Sequence, residues 1–121
     1  MVSDKPRTTE EVFGHHMQAI VARDLDAILE DYTEESILDV NLAPGPVRGL
    51  AGLRASFAGI LELFTPEVIS TFKVARQDVE GEVVYLLWSA GATIPAGSDT
   101  FVIRNGKIVV QTAYVQMGQG S

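Results

Sequence analysis

The sequence has no cysteine, which excludes a disulfide, a zinc–thiolate centre and a thiol nucleophile together. It is also poor in basic residues, with nine Lys and Arg against sixteen Asp and Glu and a net charge of −7. The nine are scattered singly, whereas phosphate binding needs them clustered, so no nucleic-acid partner is expected. The acidic surface serves solubility. No apolar run reaches the length of a membrane span, and Met1–Glu10 lacks the apolar core of a signal peptide, so a cytoplasmic protein with no membrane contact is the expectation. There is no phosphate loop or nucleophile elbow, since Gly91 and Gly97 stand alone. His15 and His16 are neighbours on a predicted helix and point about 100° apart, which does not suit a metal pair. No metal and no cofactor are expected.

What is present suits one soluble domain over residues 1–121, with an ordered core over about residues 8–116. The apolar fraction is 46%, and a chain of 121 residues can bury a real core. Thr8-Thr9-Glu10-Glu11 reads as a capping box that opens a helix bearing Val12, Phe13, Met17 and Ile20. Asp24 caps a second helix from Leu25 to about Tyr32. Ser36 to Leu42 reads as a strand, and Ala43-Pro44-Gly45-Pro46 as a loop. A third helix over Leu50 to Phe64 carries the stripe Leu53, Phe57, Ile60, Leu61 and Phe64, and Pro66 ends it. Four strands follow: Val68–Val79, Glu82–Thr93, Ser98–Arg104 and Lys107–Gln116. They are joined by turns at Glu80-Gly81, Pro95-Ala96-Gly97 and Asn105-Gly106. Met117–Ser121 is expected to fray. Three helices and an early strand followed by a run of strands predict an α+β fold, with the helices on one face of a mostly antiparallel sheet.

Three segments carry a resemblance. Asp24–Tyr32 with Thr33-Glu34-Glu35-Ser36, then Pro46-Val47-Arg48-Gly49-Leu50, then Ser98–Val109 are similar to the SnoaL-like, nuclear transport factor 2-like superfamily, which includes ketosteroid isomerase. The likeness spans roughly residues 10–116. It implies a cystatin-like cone with a pocket between helices and a curved mixed sheet. It also implies a homodimer through the outer sheet face, where alternation gathers Val102, Val110, Thr112 and Tyr114. The fold hosts isomerases, cyclases, dehydratases and plain binding proteins, so it does not choose among them.

Two residues stand out as candidate acid–base groups. His16 lies inside the apolar stripe of the first helix, four residues from both Val12 and Ile20. It is either a core histidine bonded to a carbonyl or water, or a donor aimed into the pocket, where the resemblance puts an isomerase tyrosine. Its neighbour His15 falls off the stripe and is expected to face solvent. Asp99 shares a strand face with Phe101 and Ile103. It is either a turn-proximal residue bonding loop amides or, as the resemblance implies, the acid that faces an oxyanion. The resemblance places an isomerase base at Val40, which cannot move a proton. Asp39 beside it points to the opposite face unless the strand shifts by one. Ketosteroid isomerase itself is therefore not expected.

Tyr32, Val40, Phe57, Leu61, Trp88, Phe101 and Gln111 are candidate ligand contacts. Trp88, sharing a strand face with Val84, Leu86 and Ala90, fits core packing, a dimer contact or a ligand platform. Two functions remain open: a pocket that binds a small apolar carbonyl or hydroxyl compound, with or without cofactor-independent proton transfer, and a non-catalytic binding or dimerisation module.

Overall fold

The computed structural model describes residues 5–118. Residues 1–4 and 119–121, which include most of the tail expected to fray, lie outside them. Gly118, at the described end, donates its N–H to the Thr93 carbonyl at 2.8 Å.

Helix α1 (Thr9–Ala22) begins where the capping box requires. The Thr8 hydroxyl accepts from the Glu11 N–H at 3.1 Å, and the Glu11 carboxylate accepts from the Thr8 N–H at 2.7 Å. Arg23 ends the helix in the left-handed region at φ 55°. Its guanidinium donates to the carbonyls of Leu61 and Phe64 at 2.9 and 3.0 Å and so caps the end of α3 (Leu50–Leu63). Asp24 caps α2 (Leu25–Leu29), a helix shorter than expected, and single turns carry the chain on to Tyr32. Gly49, at φ 88°, has no side chain to cap α3. The Glu34 carboxylate accepts from the Leu50 N–H at 2.8 Å in its place.

Two sequence expectations are corrected. Pro66 ends α3 but also starts a helix, α4 (Pro66–Ser70), at its first turn, with Thr65 as cap. The strand expected at Val68 therefore starts at Phe72, as β3 (Phe72–Glu80). Pro95-Ala96-Gly97 is not a turn but lies inside β5 (Ile94–Arg104). The reversal after β4 (Val83–Ala90) falls at Gly91, whose φ of 59° suits glycine. Pro95 precedes the first paired residues of β5, so its missing N–H leaves no gap in the ladder.

The sheet has six strands in the order β2-β1-β6-β5-β4-β3, with β1 (Ile37–Val40), β2 (Val47–Arg48) and β6 (Lys107–Gln116). Strand β1 runs parallel to β6, and every other pairing is antiparallel. Asn41 extends the β1–β6 pairing beyond Val40. Its side-chain amide donates to the Val115 carbonyl at 3.0 Å and accepts from the Val115 N–H at 2.7 Å. A register shift at Val102/Ile103 leaves Val109 unpaired, so Ile108, not Val109, reaches the core. The inner faces of β4, β5 and β6 are buried in one core with Val12, Phe13 and His16 of α1 and Leu53 and Phe57 of α3. No helix among the described residues is long and apolar enough to cross a membrane.

Candidate functional site

Helices α1, α3 and α4 do not close fully on the curved sheet. Between them lies a cavity of about 770 Å³ of empty space, open mouth included. Its wall is apolar over most of its extent: Met17 and Ile20 from α1, Phe57, Ile60 and Phe64 from α3 and the loop behind it, Ile69 and Phe72 from α4 and β3, and Leu38, Val40, Leu86, Phe101, Ala113 and Val115 from the sheet. Val21 and Leu42 also line it and stay 56% and 46% exposed, which places them at the mouth. The polar lining is His16, Asp99, Gln111 and the indole of Trp88.

These polar groups form one connected chain. Trp88 Nε1–H donates to Asp99 Oδ1 at 2.8 Å, and Gln111 Nε2–H donates to Asp99 Oδ2 at 2.8 Å. The Tyr32 hydroxyl donates to Gln111 Oε1. Tyr32 has a single proton, so its oxygen accepts from His16 Nδ1 at 3.4 Å. Strand register produces the layout. Asp99 pairs with Leu86 on one side and Ala113 on the other, so Trp88 and Gln111 are its diagonal neighbours on the inner face.

Gly97 lets the tryptophan lie down. It is the cross-strand partner of Trp88, and a Cβ there would stand 2.4 Å from two carbons of the indole. Phe64 and Phe72 hold the ring, with centroids 5.6 and 5.4 Å away. With the ring lying over Gly97, its N–H reaches Asp99 two residues along the strand.

Burial sets the protonation states. It penalises the imidazolium of His16 and pushes its pKa down to about 4, against the opposing field of Asp31, so the ring is neutral at physiological pH. Burial likewise raises the pKa of Asp99, and the hydrogen bonds from Gln111 and Trp88 only partly offset it. The Tyr32 hydroxyl is held well above its ordinary range by burial and by the charges of Asp99 and Asp31, and so stays protonated.

Of the sequence candidates, His16, Val40, Phe57, Trp88, Asp99, Phe101 and Gln111 line this cavity. Tyr32 is buried one hydrogen bond behind its wall, between His16 and Gln111. Leu61 is core-packed and off the wall. Asp39 is exposed on the opposite face from Val40, as simple alternation requires.

Sequence reasoning missed Phe72 and Gly97: Gly97 fell in a segment read as a turn, and Phe72, within a strand read as starting at Val68, is that strand's first residue. It also missed a second buried carboxylate. Asp31 is fully buried and binds Arg7 Nη1 at 2.9 Å and His15 Nδ1 at 2.7 Å. His15, expected to face solvent, is instead two-thirds covered by this contact.

A family description for the SnoaL-like domain matches residues 13–111. No functionally curated protein matches the chain. Among solved structures, it is similar to an NTF-2-like protein of unknown function from Burkholderia xenovorans LB400, at 26% identity over 93% of this chain and 86% of that one, with a TM-score of 0.68. It is similar in fold to a SnoaL-like protein of unknown function from Burkholderia thailandensis E264, at 16% identity, 89% and 94% coverage and a TM-score of 0.72. The fold is also that of SalBIII, an epoxide hydrolase/cyclase-like enzyme of pyran ring formation in the polyether salinomycin, at 18% identity, 90% and 91% coverage and a TM-score of 0.69. With residues 13–111 matched and an α+β cone in common with these structures, the chain belongs to the SnoaL-like family.

Proposed function

We propose that this protein binds a small, largely apolar compound bearing one oxygen function, a carbonyl or a hydroxyl, in the cavity between α1, α3 and the sheet. One observation carries the reading: an apolar wall whose polar groups are gathered at one place, around Asp99 and His16. Burial of the ligand's hydrocarbon part supplies affinity, and the polar end fixes its orientation. The test is a titration with small cyclic ketones and alcohols, followed by the NMR signals of the Trp88 indole and of the Leu38, Val40, Ile60 and Val115 methyl groups. Saturable shifts at these signals are expected. Shifts that stay linear, or that scatter over the surface, overturn the reading.

A second reading, turnover by cofactor-independent proton transfer, is favoured by the raised pKa of Asp99 in an apolar setting. Asp99 is then the group that moves the proton. With Val40 where an isomerase base is expected, the cavity offers no second carboxylate among its lining residues. Faster deuterium exchange of the α-hydrogens of cyclohexanone with the wild-type protein than with Asp99→Asn is the expected result. Equal rates leave a binding protein.

We also propose a homodimer through the outer sheet face. There the cross-strand pair Val102–Val110 shares a face with Tyr114, which is 56% exposed. Sedimentation at micromolar concentration as a 13.1 kDa species alone would remove this proposal.

A further inference from the structure

We infer that the ligand's oxygen function is a hydroxyl, bound chiefly through the proton it donates to Asp99. The inference rests on the binding reading above and decides between its two ligand classes. It follows from where each hydrogen of the polar chain is already committed.

The indole N–H of Trp88 is spent on Asp99 Oδ1, and one N–H of Gln111 on Asp99 Oδ2. The orientation of the Gln111 amide is fixed chemically, because a carboxylate only accepts and its neighbour must therefore be the NH₂ group. Gln111 Oε1 then faces Tyr32, whose single proton it takes. The Tyr32 oxygen in turn takes the proton on His16 Nδ1. Every donor of the chain thus points toward Asp99.

The groups left over include two acceptors and one donor. The acceptors are the remaining lone pairs of the Asp99 carboxylate and the Nε2 of neutral His16, which has no protein partner among the described residues. The donor is the second N–H of Gln111. A hydroxyl both donates and accepts, so it can give its proton to Asp99 and take one from Gln111. A carbonyl can take the free N–H of Gln111 but has no proton to give, so its oxygen would stand against the lone pairs of the Asp99 carboxylate in apolar surroundings.

Cyclohexanol, cyclohexanone and methoxycyclohexane test this, because they share a ring and differ in the proton. Dissociation constants come from the Trp88 indole N–H signal of the full chain at neutral pH. The expected result is an alcohol bound about tenfold or more tighter than the ketone and the ether, as for a hydrogen bond to a charged acceptor. A ketone bound as tightly as the alcohol overturns the inference and leaves the pocket standing, since it means that Asp99 holds a proton and donates. An ether bound as tightly as the alcohol overturns it too. If none of the three binds, the pocket reading fails first and takes the inference with it.

Asp99→Asn sharpens the test. Its amide nitrogen replaces Oδ2, Gln111 turns over to accept from it, and the second N–H of the new amide becomes a donor to the cavity. The preference for alcohol over ketone is expected to shrink by about tenfold or to reverse. An unchanged preference, in a variant whose Trp88 signal shows a native environment, shows that Asp99 is not the acceptor and overturns the inference.

Discussion

Asp31 and Asp99 are both carboxylates drawn in from the surface, the first fully buried and the second half-buried on the cavity wall, and the protein treats them in opposite ways. Asp31 is fully buried and is paired with the Arg7 guanidinium at 2.9 Å and the His15 ring at 2.7 Å. Arg7 also donates to the Gly106 carbonyl at 2.8 Å, so its guanidinium joins Asp31 to the β5–β6 hairpin. Asp99 meets only neutral donors, Trp88 and Gln111, and its pKa is raised. Asp31 is enclosed within the protein, whereas Asp99 lines an open cavity. A buried charge that is neutralised on the spot holds structure together. A partly covered carboxylate with neutral partners on a cavity wall suits the binding role proposed above.

The contrast can be broken by substitution. Trp88→Ala is expected to have the largest effect on stability, about 3–5 kcal/mol, since it removes a ring packed between Phe64 and Phe72. A urea midpoint equal to wild type would show that this packing does not carry the fold. Asp31→Ala should follow at about 3 kcal/mol, because it takes the shared buried acceptor away from the Arg7 guanidinium and the His15 ring. Arg7 and His15 are each about one-third exposed and can swing outward, which keeps the loss toward the low end. The contrast itself is at stake in the same denaturation series: Asp99→Asn is expected to change stability by less than about 1 kcal/mol, because it removes a charge whose burial is already unfavourable. Equal losses for the two aspartate variants would erase the distinction.

Gly97→Ala lies between these two on the Asp99 side. Its added Cβ meets the indole at 2.4 Å, and overpacking of that kind costs about 1–3 kcal/mol. The displaced ring should also lose its hydrogen bond to Asp99, which a shift of the indole N–H resonance would report. A native resonance would mean that the backbone yields instead.

The pH dependence adds a further measurement. His16 has its pKa depressed in the folded state to about 4, from 6.5. Between those values the unfolded chain binds more protons than the native one, so the stability that neutral His16 supplies is present above pH 6.5 and is lost as pH falls toward 4. The full span corresponds to about 3 kcal/mol. His16→Gln should flatten the slope of stability against pH in that window. An unchanged slope would mean that His16 is not the titrating group.

Much of this molecule is set by short-range rules that the chain obeys wherever it is placed. Thr8 and Glu11 close their capping box from three residues apart, Asn105-Gly106 turns the last hairpin, and strict alternation puts Asp99, Phe101, Trp88 and Gln111 on one face. The same alternation correctly set Asp39 outside and Val40 inside. Where the local signal was ambiguous, longer-range packing decided. Pro66 stops one helix and starts another with equal ease, and a single glycine in Pro95-Ala96-Gly97 suits a turn as well as it suits the flat seat of an indole. The tertiary structure alone determined how the polar groups were matched. Asp31, Arg7 and His15 come from different elements, and Tyr32 and Gln111 are joined across 79 positions of the chain. Alternation and helical period give the direction in which a side chain points. They carry nothing about which distant donor meets it there, because that depends on how the sheet curves and where the helices come to rest on it.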